Sequence, residues 1–218
     1  MPARASGYMP PRYLELEATR LIGLVSEWLR YESARVPFAV AATEFDERPS
    51  IAGLALKVRL DRIDRLNDDS LLVIDYKSGL VSPASWDLPR PDDVQLPLYA
   101  GFALESDAES VGGLLFAQIR AGKSKEFLGR VKNVKDTLMS GLSSQKALVN
   151  KPLSDGDLAA WREYIETMAR DFLTGRAEAD PRDYPKTCER CELQALCRIR
   201  ENPPRCENEN GDEEATDA

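Results

Sequence analysis

The sequence predicts an α/β (α+β) fold in which a central mixed sheet is flanked by helices, and three patterns support this. Residues 71–74, Leu-Leu-Val-Ile, form a short apolar run between turn-forming residues, which is typical of a buried strand. Residues 54–61 alternate apolar and polar side chains, as in a half-buried strand. Residues 12–35 and 155–173 place apolar residues at helical spacing, so we expect helices beside the sheet.

The first predicted element is an amphipathic helix over residues 12–35, after a loose Pro-containing segment at residues 1–11. Its apolar positions follow the helical period: Leu14, Ala18, Leu21, Ile22, Val25, Trp28 and Leu29. We expect this helix to end before Pro37 and to cover one face of the sheet, with Trp28 in the core. A strand is predicted next, over residues 38–45.

Two further strands, residues 54–66 and 71–79, are predicted to pair as an antiparallel hairpin around a turn at residues 67–70. Side chains two apart on a strand share a face, so Asp75 and Lys77 end the apolar face of the second strand. Buried charge is costly unless it is paired or bound to metal. The two residues are therefore either a local ion pair, or a metal ligand and a lysine beside an attacking water or scissile phosphate.

The hairpin would also bring Asp61 or Asp64 within reach of Asp75. Two carboxylates at strand ends suit a hard divalent cation such as Mg²⁺ or Mn²⁺, which prefers oxygen ligands.

The rest of the sequence predicts a loop, three helices and two further strands. A loop over residues 82–91 contains Trp86, and Asp92 and Asp93 suit the first turn of a following helix. That helix places Gln95 and Tyr99 on one face. Strands at 111–119 and 126–131 extend the sheet, and helices are predicted at 134–148 and 155–173.

Three motifs in order resemble one enzyme family: RLDRID at residues 59–64, VIDYKSG at 73–79 and QLPLYA at 95–100. They resemble the PD-(D/E)xK nuclease superfamily in its RecB/AddB branch, and more narrowly the nuclease domain of bacterial DNA-repair helicase–nuclease proteins. The resemblance implies a restriction-endonuclease-like core at residues 12–180. It also implies metal-dependent hydrolysis of DNA, as an exonuclease in repair or recombination, with DNA and helicase-like domains as partners.

The resemblance also assigns roles to single residues. Asp61 matches the acid of the first motif, Asp75 and Lys77 match the acid and lysine of the second, and Gln95 and Tyr99 match the glutamine–tyrosine motif. It implies Mg²⁺ or Mn²⁺ held by Asp61, Asp75 and the backbone carbonyl of Tyr76. Lys77 would position the attacking water, and Gln95 and Tyr99 would orient the DNA strand.

Two other acids are further candidates for this site. Glu44, near the end of the strand at residues 38–45, is a further candidate metal ligand, or it pairs with Arg59 or Arg62. Asp64 ranks below Asp61, because its side chain leaves the strand on the other face.

The charge distribution bears on a nucleic-acid partner. The net charge is −8, but residues 207–218 contribute six acids and no base and are predicted to be a disordered acidic tail. Residues 118–135 contain six bases and one acid, a weak indication of phosphate binding.

The chain has no histidine, which excludes Ser-His-Asp and Cys-His catalysis and imidazole zinc sites. The upstream G-x-x-H motif of the resembled family is absent too, so we expect a fragment or a reduced variant.

All four cysteines follow the pattern C-x2-C-x5-C-x8-C, at Cys188, Cys191, Cys197 and Cys206. This clustering favours a metal site over disulfides, with zinc or an iron–sulfur cluster as candidates. Cys188, Cys191 and Cys197 resemble the AddB-type staple of a [4Fe–4S] cluster, whose upstream cysteine is missing here. Cys206 is the candidate replacement, and residues 181–206 form a predicted metal-binding segment.

Two alternative functions remain open from the sequence. One is a non-catalytic DNA-binding or scaffold module of a helicase–nuclease, and the other is a cysteine–metal interaction module. No apolar run approaches the roughly 18 residues of a membrane span, and the N-terminus lacks a signal-peptide pattern. We therefore expect a cytoplasmic protein without a membrane partner.

Overall fold

The computed structural model describes residues 10–104, 111–120, 126–133, 151–189 and 191–201. The predicted helix at residues 134–148, the N-terminal residues 1–9, Cys206 and the acidic tail lie outside these ranges. The chain divides into two compact units, Met1–Leu173 and Thr174–Ala218. In the described residues of both units, no helix is both long enough and apolar enough to span a bilayer.

The described part of the first unit is organised around a mixed sheet. The strands are β1 Ala39–Glu47, β2 Ser50–Ile51, β3 Leu54–Ala55, β4 Val58–Arg65, β5 Leu71–Lys77, β6 Val111–Gln118 and β7 Glu126–Val131. Five of them form one sheet in the order β1-β4-β5-β6-β7, and β2 and β3 form a separate short hairpin. β5 and β6 are parallel, and the other neighbours in the large sheet are antiparallel.

Helices complete both units. In the first, they are α1 Pro11–Glu32, a 3-10 turn Pro83–Trp86, α2 Gln95–Leu98, a π-helical continuation Tyr99–Ala103, and α3 Asp155–Leu173. In the second unit, the short helices are α4 Lys186–Glu189 and α5 Gln194–Cys197.

The predicted fold class is confirmed, and so is the antiparallel hairpin of β4 and β5. The single strand predicted over residues 54–66 is wrong in one respect, since it is divided into β3 and β4. β3 turns back on β2 through Ala52 and Gly53, both of which have positive φ. The alternating pattern continues through both strands, so the pattern alone did not reveal the turn.

Both faces of the central strand β5 are covered by apolar side chains. One face packs against Trp86, Leu96, Tyr99, Leu158 and Trp161, from the 3-10 turn, α2, its π-helical continuation and α3. The other face packs around Trp28 of α1 and Phe127 of β7. Charged side chains on β5 are therefore held in a largely desolvated setting, where unpaired charge is costly.

The prediction that α1 covers one face of the sheet is confirmed for the C-terminal end of this helix. Only Trp28 and Glu32 of this helix are buried, at its C-terminal end. Other apolar residues of the helix are exposed: Leu14, Leu21, Ile22, Val25 and Leu29. Helical periodicity reports which face of a helix is apolar, and it does not report how much of that face finds a partner.

Candidate active site at the open end of β4 and β5

The site lies where the pairing of β4 with β5 stops. The last registered pair in this direction is Arg62 with Ile74, so Tyr76 lies beyond the ladder. Its backbone N–H donates instead to Oδ2 of Asp61, at 2.8 Å. A side-chain carboxylate thus replaces the missing backbone acceptor, and it brings Asp61 to the strand that carries Asp75.

Asp75 is the most buried acid of this site, with 2% of its surface exposed. Its Oδ1 accepts a hydrogen bond from Nε2 of Gln95 at 2.8 Å. Its Oδ2 lies 2.7 Å from Nζ of Lys77. The angle of that approach is poor, so Oδ2 has an ionic contact but no aligned hydrogen-bond donor. Burial raises the pKa of Asp75 above its ordinary value, against the lowering effect of Lys77.

Gln95 connects the charged residues to each other. Its Oε1 accepts a hydrogen bond from Nζ of Lys77 at 2.9 Å. Its Nε2 donates to Tyr99 Oη at 2.9 Å as well as to Asp75, which uses both amide hydrogens. Tyr99 Oη in turn donates to the backbone carbonyl of Arg59 at 2.9 Å, which ties the helical residues to β4.

Lys77 is partly exposed, so it can face a bound substrate. Burial disfavours its charge, but the close contact with the negatively charged Asp75 outweighs this effect. The pKa of Lys77 is therefore raised, and the side chain is an ammonium ion at neutral pH.

Asp93 belongs electrostatically to this site, although the sequence suggested only a helix-capping role. Its Oδ1 accepts a hydrogen bond from the backbone N–H of Gln95 at 2.8 Å. Its negative charge also contributes to the raised pKa of both Asp75 and Lys77. Its position two residues before the glutamine of the third motif was the only available signal.

Glu44 is found in the ion pair that was its alternative role. One of its carboxylate oxygens lies 2.6 Å from Nη2 of Arg59, and both side chains are largely exposed. Its role as a metal ligand stays a prediction. Asp64 points to the opposite face of β4, where Arg35 and Arg62 bind it.

The donors at the open end fit a hard divalent cation. Within the described ranges, no three Asp, Glu or Cys side chains form a metal-binding group. Mg²⁺ needs only one or two carboxylates, because it keeps several waters. Asp75 Oδ2 is a buried oxygen without an aligned donor, and Asp61 adjoins it through Tyr76. The Tyr76 carbonyl lies on the same strand edge as its N–H, so it opens toward Asp61.

Three of the four cysteines lie in the described residues of the second unit. Cys188, Cys191 and Cys197 all line one pocket of about 570 Å³, together with apolar side chains such as Leu193 and Ile199. The backbone N–H of Leu193 donates to Cys191 Sγ at 3.4 Å. Thiols are ligands for zinc or iron.

One base of the predicted basic stretch is unavailable to DNA. Arg130 is 2% exposed and lies over the rings of Trp86 and Trp161. It donates to Asp87 and to the carbonyl of Pro83, so it fastens the loop after β5 to β7. Lys132, in the same stretch, pairs with Asp155 at 2.6 Å.

No curated protein shows significant similarity to the chain. A solved structure described as "Crystal structure of SSO0001" has 18% sequence identity, covers 87% of this chain and 71% of that chain, and gives a TM-score of 0.38. The sequence profile of the PD-(D/E)XK nuclease superfamily matches residues 3–198, which include all three motifs. The chain therefore belongs to the PD-(D/E)XK nuclease superfamily.

Proposed function

We propose that this chain is a metal-dependent deoxyribonuclease that hydrolyses phosphodiester bonds at the open end of β4 and β5. One observation carries the proposal. Asp75, which is almost fully buried, contacts Lys77 and Gln95 and adjoins Asp61 across one backbone amide. The motif residues of three separate segments thus converge at one place.

Each group of the candidate site has a separate role in the proposed reaction. Asp61, Asp75 and the Tyr76 carbonyl would hold Mg²⁺ or Mn²⁺. When bound, the cation lowers the pKa of water and offsets charge on the reacting phosphate. The Lys77 ammonium donates hydrogen bonds to the attacking water or to a phosphate oxygen, where negative charge develops. Gln95 and Tyr99 keep Asp75 and Lys77 in register with β4.

The decisive experiment measures degradation of linear DNA with Mg²⁺ or Mn²⁺ by the parent chain, by Lys77→Ala and by Lys186→Ala. Lys186 is an exposed lysine of the second unit, in an ion pair with Asp183, and serves as the matched control. We expect cleavage by the parent and the control, loss of cleavage in Lys77→Ala, and no cleavage with chelator. Equal cleavage by Lys77→Ala would place catalysis elsewhere. DNA binding without cleavage by the parent would favour the non-catalytic module.

We also propose an exonuclease of the RecB/AddB branch that acts in DNA repair beside helicase-like domains. The order of the DRID, DYK and QLPLY motifs supports this assignment. Comparing linear DNA with covalently closed circular DNA tests the mode of cleavage, because an exonuclease needs an end. Cleavage of the closed circle at an equal rate would contradict it.

The cysteines support a second metal centre, for which we propose a [4Fe–4S] cluster with zinc as the alternative. The support is the shared pocket of Cys188, Cys191 and Cys197. Elemental mass spectrometry and visible absorption of anaerobically purified protein distinguish iron from zinc. Replacement of Cys188 by serine is expected to lower the metal content. Metal content unchanged by this variant, or no metal in the parent, would contradict the proposal.

A further inference from the structure

A network of charged side chains on the far side of the sheet ends at Tyr76. Asp64, fully buried on β4, accepts hydrogen bonds from Arg62 at 2.6 and 3.2 Å and from Arg35 at 2.7 Å. Glu32, the last residue of α1, lies 2.7 Å from Arg62. Two cations and two anions are therefore balanced in the interior, where one alone would be costly.

Arg62 extends this network toward the candidate site. Its Nη1 donates to the hydroxyl of Tyr76 at 3.0 Å. The Tyr76 ring also meets the ring of Trp28 edge to face, with centroids 6.2 Å apart. Burial disfavours the charge of Arg62, but its bonds to Asp64 outweigh this and raise its pKa. The cation that holds the hydroxyl is thus permanently charged.

The same residue contacts the candidate metal ligand on the other side of the strand. The Tyr76 side chain meets Arg62 and Trp28, while its backbone N–H holds Oδ2 of Asp61. β5 stays paired with β6 through Tyr76 and Lys77, so only the β4-facing edge of this peptide lacks a backbone partner, and there the side chain of Tyr76 is a further restraint. A shift of the ring would carry the peptide, and with it the Asp61 carboxylate.

We propose that Tyr76 and Arg62 are positioning residues that brace the Asp61 carboxylate for cation binding from the opposite face of the sheet. The proposal rests on the proposed function for its catalytic consequence. Loss of the brace weakens cation binding at Asp61, and it leaves DNA binding unchanged. Outer partners of metal ligands typically contribute about 10–100-fold to metal affinity or activity, and this more distant brace is expected at the lower end.

Tyr76→Phe is the sharp test, because it removes only the hydroxyl. The ring can stay against Trp28, and Arg62 keeps Glu32 and Asp64, so no buried charge is left alone. Tyr31→Phe is the matched control. The Tyr31 hydroxyl accepts a hydrogen bond from the Phe127 N–H, and its ring also packs against Trp28, within the apolar cluster around that residue.

Two measurements are made on the full chain: titration with Mn²⁺ alone, and hydrogen exchange of the Tyr76 amide by NMR. For Tyr76→Phe we expect a roughly tenfold weaker Mn²⁺ affinity with an unchanged KM for DNA. We also expect the Tyr76 amide to exchange roughly fivefold faster, the factor for loss of one ordinary hydrogen bond. Tyr31→Phe should match the parent in both measurements.

Mn²⁺ affinity or amide exchange in Tyr76→Phe equal to that of the parent would overturn the brace. Equal weakening in Tyr31→Phe would also overturn it, since the effect would then be general loosening of the apolar cluster. A parent chain that neither binds Mn²⁺ nor cleaves DNA would refute the proposed function instead. In that case, exchange of the Tyr76 amide in the two variants still decides whether the hydroxyl braces the peptide.

Discussion

Asp75 and Lys77 lie 2.7 Å apart, and the pKa of each is raised. The two shifts have opposite meanings, because a raised pKa favours the charged lysine and disfavours the charged aspartate. Burial explains the asymmetry, since Asp75 is 2% exposed and the Lys77 side chain is 30% exposed. The charged form of Asp75 is therefore unfavourable in the folded protein, and Lys77 offsets only part of this cost.

We predict that Asp75→Asn abolishes cleavage and makes the protein more stable near neutral pH. The folded pKa of Asp75 lies above the unfolded one, so its contribution to stability is present at low pH and is lost as the pH rises through the folded pKa. The difference in free energy of unfolding between Asp75→Asn and the parent should therefore fall to zero toward about pH 3. Urea unfolding of both proteins between about pH 3 and about pH 7 tests this prediction. Asp68, whose pKa is lowered by hydrogen bonds from Ser70, gives the control, since Asp68→Asn should not stabilise.

Removing the charge of Asp93 should shift the acidic limb of the pH–activity profile to lower pH. Asn at this position can still accept the Gln95 N–H, so the start of α2 is kept. The negative charge that helps raise the pKa of Asp75 is lost, so Asp75 ionises at lower pH. Asp93 is among the largest charges acting on Asp75 and Lys77 and Asp92 is not, which makes Asp92→Asn the neighbouring control. An unshifted limb in Asp93→Asn would contradict the assignment.

Arg130→Ala should lower the free energy of unfolding of the first unit by up to about 3 kcal/mol, because it leaves a gap beside two tryptophans and removes the hydrogen bonds to Asp87 and to the Pro83 carbonyl. Arg170→Ala is the matched change on the exposed face of α3, where the pair with Glu166 is worth about 0.3–0.5 kcal/mol. Denaturant midpoints of the two variants give the comparison. Similar midpoints would mean that Arg130 contributes no more to stability than the exposed Arg170 does.

Gly129→Ala should lower the free energy of unfolding by an amount near the upper end of about 1–3 kcal/mol, the usual range for overpacking. A Cβ at Gly129 would lie 2.0 Å from the carbonyl oxygen of Leu114, a backbone atom that cannot swing away. At Gly79 a Cβ would meet nothing within 4 Å, so Gly79→Ala should leave the free energy of unfolding nearly unchanged. Thermal unfolding of both variants tests the contrast.

The sequence was sufficient to predict the β4–β5 hairpin and the face that Asp75 shares with Lys77. Strand alternation reports side-chain direction, and the turn at residues 67–70 fixes which strands meet. The sequence could not predict that the Tyr76 N–H donates to Asp61, because this contact depends on where the pairing of β4 with β5 stops. The roles of Asp93 and Arg130 also depend on distant residues: Asp75 for the first, and Trp86 and Trp161 for the second.

The sheet also implies an order in which the site assembles during folding. β4 and β5 are joined by a short turn, so Asp61 and Asp75 can meet through local contacts. β5 and β6 pair in parallel, which requires the crossover of residues 78–110 that carries Gln95. Pairing between distant segments is slow, because the chain loses the entropy of closing the loop before the stabilising contacts form. In refolding experiments, we therefore expect the two carboxylates to come together early and the glutamine bridge to close late, so that activity returns after the hairpin has formed.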